Sequence, residues 1–399
     1  MDSVKPEALG FSSARLARIN AAMQQYIDEK KLAGIVTLIA RRGKVVHFEK
    51  FGMADIEAGR PMQLDTLFRI YSMTKPITTT AALMLLEEGR IRLADPISRY
   101  IPAFKNVKVL DNTAGSGVHF VDAKQPITVQ HLMTHTAGLS YGFDDNVYID
   151  ELYRKHIWEP IETAPGLTLE EFVGEVAKLP LAYQPGTLYR YSVATDVLGF
   201  LVQVVSGMPL DEYMKRCILE PLSMGDTDFY VPPEKIERFS TVYGPDEQGG
   251  LKVVDASQAS HYAMPARFVS GGGGLVSTAG DYLRFCRMLL NKGELDGVRL
   301  LGRKTVELMT TNHMPAGVQP FPEDAFSGFG LGVSVILELR QSKLLGSPGT
   351  FGWGGAANTN FWIDPKEEVI GILMLQYMPS DTYPVVADFR TLAYQALVD

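Results

Sequence analysis

The chain reads as an α/β (α+β) protein with one antiparallel sheet drawn from both termini and a helical insertion between. Three observations predict this. A helix and a β-hairpin pattern lie near the start. Three strand patterns and a helix lie at the end. The middle is rich in buried-helix patterns and irregular loops. We expect an α/β domain from residues 1–75 and 240–399, a mainly helical domain over 76–239, and a site at their interface.

The elements follow in order. Residues 12–31 carry Leu16, Ile19, Met23 and Ile27 at helical spacing, behind Ser12 and Ser13 as candidate N-caps. GIVTLIA, Arg41-Arg42-Gly43 and KVVHFEKFG then read as a hairpin around a glycine turn. Residues 76–89 and 194–206 read as buried helices. Pro180–Pro185 and Gly271–Gly274 read as loops. FGLGVSVIL (329–337), TNFWID (359–364) and EVIGILMLQ (368–376) read as three strands. A helix from about Pro384 to Leu397 closes the chain. No internal repeat or low-complexity segment interrupts the pattern.

Composition narrows the function classes. The chain has 399 residues, 46% hydrophobic and 21% charged, which suits a large globular core and no disordered or coiled-coil class. The formal net charge is −8, with no Lys/Arg-rich run, so no nucleic-acid partner is expected. The longest apolar runs fall well short of the ~20 residues that span a bilayer, so no membrane partner is expected either. The opening MDSVKPEALGFS lacks a basic-then-apolar leader, which gives a cytoplasmic expectation. Cys217 and Cys286 form no CxxC, and nothing calls for a disulfide.

Five constellations could carry chemistry. Ser72-Met73-Thr74-Lys75 puts a hydroxyl and an amine at i and i+3 on one helical face. Lys can take a serine proton if it is desolvated. The bare S-x-x-K pattern is weak, since about one occurrence is expected by chance. Its context adds weight: Pro76 tolerates only the first turn of a helix, so Ser72 lies at a helix N-terminus. Free N–H groups there suit an anionic tetrahedral intermediate. The plainer reading is an N-cap serine beside a solvated lysine. Gly138-Leu139-Ser140-Tyr141-Gly142 matches G-x-S-x-G, but a helix end precedes it and a loop follows, where an elbow needs strand and helix. Ser140 is therefore read as a decoy. His131 and His135 stand one helical turn apart without the Glu or third ligand of a zinc site, and read as structural. Tyr191 sits on a Pro- and Gly-fixed loop before a helix and could carry a proton beside a cation. Trp353-Gly354-Gly355, following Phe351, permits close backbone approach to a ligand, or is simply an edge kink.

Taken together and in order, FRIYSMTK (68–75), HLMTHTAGL (131–139), YQPGTLYRYS (183–192), SGGGGLVST (270–278) and FGWGG (351–355) resemble the serine β-lactamase-like family. The resemblance spans nearly the whole chain. Within that family it is closest to the family VIII carboxylesterases, which share the fold of class C β-lactamases and penicillin-binding proteins. It implies that Ser72 is the acylated nucleophile, Lys75 its partner, and Tyr191 the tyrosine of the Y-x-N element. It makes Trp353-Gly354-Gly355 the counterpart of K-T-G, and the backbone N–H groups of Ser72 and Ala356 the oxyanion hole. SGGGGLVST is read as framework. Tyr141 and Phe351 are further pocket-wall candidates, each beside a motif that should face the site.

Two departures refine the implied activity. Y-x-N reads Tyr191-Ser192-Val193, without the amide. K-T-G reads Trp353-Gly354-Gly355, without the cation that would receive a substrate carboxylate. An indole there favours a neutral group. The expectation is a serine carboxylesterase acting on short-chain neutral esters through a Ser72 acyl-enzyme, with a small-molecule ester as partner and no metal or organic cofactor. The alternatives are a β-lactamase or D-amino-acid peptidase using the same residues, or an acyltransferase to an acceptor other than water. Oligomeric state is not legible.

Overall fold

The computed structural model describes residues 4–111, 117–145, 147–163, 166–321, 326–339 and 344–399. Its centre is an eight-stranded antiparallel sheet. We label its strands β1 (Gly34–Arg41), β2 (Lys44–Asp55), β3 (Arg60–Pro61), β4 (Ser327–Phe329), β5 (Ser334–Ile336), β6 (Phe351–Gly354), β7 (Asn360–Asp364) and β8 (Val369–Leu375). The spatial order is β4-β5-β6-β7-β8-β1-β2-β3. The termini therefore meet in mid-sheet, where Ile35 pairs with Leu375 and Arg41 with Val369.

Both faces of that central pair are covered, which is why GIVTLIA and VIGILML read as unbroken apolar runs. Ile35, Ile39, Leu373 and Leu375 pack with helices α1 (Ser13–Asp28) and, at the chain end, Val385–Tyr394. Val36, Leu38, Ile372 and Met374 face the larger core on the other side. That core includes the helix we label α2 (Thr74–Glu87), which is buried from Thr74 to Leu83 and again at Leu85. An all-round buried helix has no polar face to advertise. Two further helices matter for the site: α3 (Val129–Met133) and α4 (Ala194–Ser206).

Three expectations need adjusting. In α1, Tyr26 rather than Ile27 fills the fourth buried position, and the helix ends at Asp28. FGLGVSVIL is not one strand but part of the hairpin of β4 and β5, turned at 330–333. FGWG is itself a strand, β6, paired with β5 and β7, so the C-terminal region supplies five strands. Its two glycines hide the strand signal from a reading based on β-branched residues.

Candidate active site

The segment before Ser72 is a short strand, Phe68–Arg69, paired with Val276–Ser277. The chain then turns through Tyr71 at φ +42° into a 3₁₀ turn over Tyr71–Met73 and straight into α2. A tyrosine at positive φ is strained by about 1–2 kcal/mol, and such strain persists where surrounding structure fixes it. Here Ile70 N–H donates to Leu275 O at 3.0 Å, Met73 O accepts from the Tyr282 hydroxyl at 2.9 Å, and Leu275 N–H donates to Thr74 Oγ1 at 3.1 Å. Pro76 sits in the first turn of α2, where its missing N–H costs nothing.

Lys75 is fully buried. Its Nζ lies 3.1 Å from Ser72 Oγ, 3.0 Å from the Tyr141 hydroxyl and 2.6 Å from Gly272 O. These three acceptors match the three donors of an ammonium. The Tyr191 hydroxyl donates to Ser72 Oγ at 2.6 Å. Lys75 Nζ also sits 4.6 Å from the Tyr191 ring centre and 5.2 Å from that of Tyr141. Ser72, Lys75 and Tyr191, which are far apart in sequence, thus share one hydrogen-bonded group.

Tyr141 is more than a wall. It bonds Lys75 directly, and its ring stacks on Phe143 at 4.9 Å. Burial, followed by the nearby Asp196, Tyr191 and Tyr189, pushes its phenol well above the ordinary range. Tyr141, Phe143 and Tyr191 line a cavity of about 370 Å³ together with Ser140, Asp150 and Arg190. Trp353 lies 5.6 Å from the Tyr191 ring and 5.2 Å edge-on to Phe329. Phe351 is more deeply placed than Trp353, buried in the main core. Gly355, the second residue after Trp353, comes close to the serine turn. A Cβ on Gly355 would stand 2.5 Å from Ile70 O and 2.2 Å from Thr359 Oγ1, so only glycine lets the loop approach there. Ala356 follows and is exposed.

The remaining motifs have other partners. Ser140 is buried, bonds Asp150, and accepts from Arg190 Nε at 2.9 Å. Arg190 also pairs with Asp150 at 2.5 Å. His131 closes the N-terminus of α3 by accepting from Thr128 N–H at 3.2 Å. His135 packs its ring 4.8 Å from that of Tyr191, and burial plus the Lys75 charge hold it well below the ordinary imidazole range. Among the described residues no group of three or more His, Cys, Asp or Glu is placed to hold a metal ion. No described helix is long and apolar enough to cross a membrane.

Sequence reasoning missed two participants. One is the carbonyl of Gly272, inside the glycine run read as framework. The other is Asp196, a fully buried carboxylate next to that run. A lone acid in ATDVLGFLVQVV was the available signal.

Comparison with known proteins agrees with this architecture. A beta-lactamase family model matches residues 19–395. Protein Rv1367c of Mycobacterium tuberculosis is 40% identical over 384 residues, covering 94% of each chain. Esterase EstB of Burkholderia gladioli is 30% identical over 388 residues, covering 91% of each. EstCE1, a solved structure described as a hydrolase with promiscuous acyltransferase activity, superposes with a TM-score of 0.83 at 28% identity. It covers 96% of this chain and 99% of its own. With a family model across nearly its whole length and an esterase relative spanning nine-tenths of it, the chain belongs to the beta-lactamase family and groups with its family VIII carboxylesterases.

Proposed function

We propose that this serine esterase works through acylation of Ser72, with Tyr191 carrying the proton and Lys75 fixing both. The observation that carries the reading is the double contact on Ser72 Oγ, from Lys75 Nζ at 3.1 Å and the Tyr191 hydroxyl at 2.6 Å. A serine hydroxyl needs a proton acceptor within this reach before it can attack. Tyr141 is a poorer choice, because its hydroxyl bonds Lys75 instead and its burial favours the neutral phenol.

The steps follow from those contacts. Ser72 Oγ bonds to the ester carbonyl carbon as its proton passes to the Lys75–Tyr191 pair. The Ser72 and Ala356 N–H groups receive the oxyanion. Collapse expels the alkoxide, which takes that proton from the pair through the Tyr191 hydroxyl. Water then attacks the acyl carbon, gives its proton to the same pair, and the acyl–Ser72 bond breaks as that proton returns to Ser72 Oγ. Microscopic reversibility makes an alcohol an acceptable substitute for water, which is the acyltransferase reading that the EstCE1 likeness favours.

The substrate class is a short-chain neutral ester. Trp353 supplies an aromatic surface where the K-T-G element has a cation, and Arg190 is already committed to Asp150. Trp353, Gly354, Gly355, Tyr141 and Phe351 are the proposed substrate contacts, Phe351 from its place in the core on the strand that carries Trp353. The division into residues 1–75 with 240–399 and residues 76–239, with the site between, is part of the same reading. Incubation with a serine-reactive phosphonate followed by peptide mass spectrometry tests it. The adduct is expected on Ser72 and absent from Ser72→Ala. An adduct on another serine would overturn the assignment.

A further inference from the structure

Asp196 has no part in the acyl-transfer scheme above, yet it is buried to 2% exposure in the first turn of α4, directly against the site. Its Oδ1 accepts from Gly272 N–H at 3.0 Å and from the Ser270 hydroxyl at 2.5 Å. The carbonyl of that same Gly272 accepts from Lys75 Nζ at 2.6 Å. One residue therefore joins the carboxylate to the lysine: its N–H faces Asp196 and its C=O faces Lys75.

The surroundings leave this residue little freedom. Gly271 O accepts from Thr78 Oγ1 at 2.6 Å, one turn along α2 from Lys75. A Cβ on Gly272 would stand 2.5 Å from Asp196 Oδ2 and 2.9 Å from the Tyr141 hydroxyl. The glycine is thus wedged between the buried acid and one of the three groups bonded to Lys75. Burial raises the Asp196 carboxyl, while Ser270, the Lys75 charge and Gly272 N–H oppose that rise.

We propose that Asp196 is a positioning residue for acyl transfer, acting through the backbone on either side of Gly272 to hold Lys75 against Ser72. By accepting the Gly272 N–H, Asp196 holds one end of the Gly271–Gly272 peptide while Thr78 holds the other through Gly271 O, which anchors the Cα from which the Gly272 carbonyl projects toward Lys75. That carbonyl is the shortest of the three Lys75 contacts, so its direction sets where the amine sits relative to Ser72 Oγ. Ser270 completes the arrangement by anchoring the carboxylate oxygen that the glycine uses. The SGGGG run then serves the chemistry: it places a backbone carbonyl where a side chain would not fit.

The inference rests on Ser72, Lys75 and Tyr191 being the acyl-transfer set, and the test separates the two. Wild type, Asp196→Asn and Asp196→Ala are compared for circular dichroism, for kcat and KM on a short-chain nitrophenyl ester, and for the rate of Ser72 labelling by a phosphonate. Asparagine keeps an oxygen that accepts the Gly272 N–H; alanine does not. Asp196→Ala is expected to lower kcat and the labelling rate by about 10²-fold, the scale of a small misplacement of a reacting group, with KM within about threefold. Asp196→Asn is expected to recover most of that loss. Should Asp196→Ala not fold, Asp196→Ser, too short to reach the glycine, takes its place with the same expectation. A folded alanine or serine variant labelled at the wild-type rate would overturn the proposal. So would an asparagine variant as slow as alanine, which would show that charge rather than peptide positioning matters. Wild type that is not labelled on Ser72 at all would overturn the proposed function, and this role with it.

Discussion

Ser140→Ala should cost stability and spare activity, whereas Ser72→Ala should abolish activity. The Ser140 hydroxyl bonds the Asp150 carboxylate and accepts from Arg190 Nε at 2.9 Å. Burial raises the Asp150 carboxyl, but the Ser140 hydroxyl, Asp144 N–H and Arg190 outweigh it and leave it below the ordinary range. Removing the hydroxyl leaves both ionic groups one partner short in a buried place. Hydrogen bonds to charged groups contribute about 1.5–3 kcal/mol each, and the direct Arg190–Asp150 contact at 2.5 Å remains to absorb part of the loss. A net cost of about 2 kcal/mol follows, and at the usual unfolding entropy per residue this lowers Tm by about 2–3 °C. Calorimetry on the variant, beside kcat/KM for a nitrophenyl ester, checks both halves. We expect kcat/KM within about threefold of wild type, while Ser72→Ala loses essentially all turnover. A folded Ser140→Ala variant that is inactive, or one with wild-type Tm, would refute the assignment of this serine to the ion-pair network.

Other outcomes follow from the same geometry. Lys75→Ala and Tyr191→Phe should each lower kcat by about 10²–10⁴, and the double variant should be little worse than the poorer single one, because both act on one hydroxyl; additive losses in steady-state kinetics would count against a shared unit. Short neutral nitrophenyl esters should exceed a chromogenic cephalosporin in kcat/KM by at least about ten- to hundredfold, the value of a missing charge-assisted bond to the substrate carboxylate; equal values would mean Trp353 has been misread. Burial pulls the His47 imidazole down to about 4, against about 6.5 when unfolded, so its contribution is fully present above about pH 6.5 and is lost as pH falls toward 4. That is worth up to about 3 kcal/mol, so the Tm of His47→Gln should fall less steeply than that of wild type over this range; parallel curves would exclude His47 as the acid-sensitive group.

How much of this was legible in the sequence depended on the kind of signal. The central strands declared themselves, because burial on both faces demands unbroken apolar runs such as GIVTLIA and VIGILML. α4 matched its expected span of 194–206, bounded by Gly207 in the left-handed region. β6 did not declare itself, because a strand written Phe-Gly-Trp-Gly gains its place from pairing on both sides, not from propensity. At the site, S-x-x-K gave the local pair, since i and i+3 must share a helical face. The meeting of Tyr191 with Ser72 came from family resemblance alone; no spacing rule links residues 119 positions apart. The Tyr141–Lys75 and Asp196–Gly272 bonds lay outside both kinds of signal, because each joins loops that only tertiary packing brings together.

The same distinction underlies the proposal that one serine motif carries the chemistry and the other is structural. Both serines sit beside a tyrosine and both bond two other side chains. Around Ser140 the two partners are opposite charges that also bond each other, so the hydroxyl completes a closed ion pair and has nowhere to send a proton. Around Ser72 the partners are an amine with its remaining donors committed to Tyr141 and Gly272, and a phenol that can give or take a proton. The serine turn adds a strained residue, Tyr71 at φ +42°, immediately before the hydroxyl. A proton-carrying partner is what a reacting hydroxyl requires, and the strained residue beside it fits that role; a buried ion pair already satisfies a structural hydroxyl. The partner set, not the glycine spacing around the serine, separates the two.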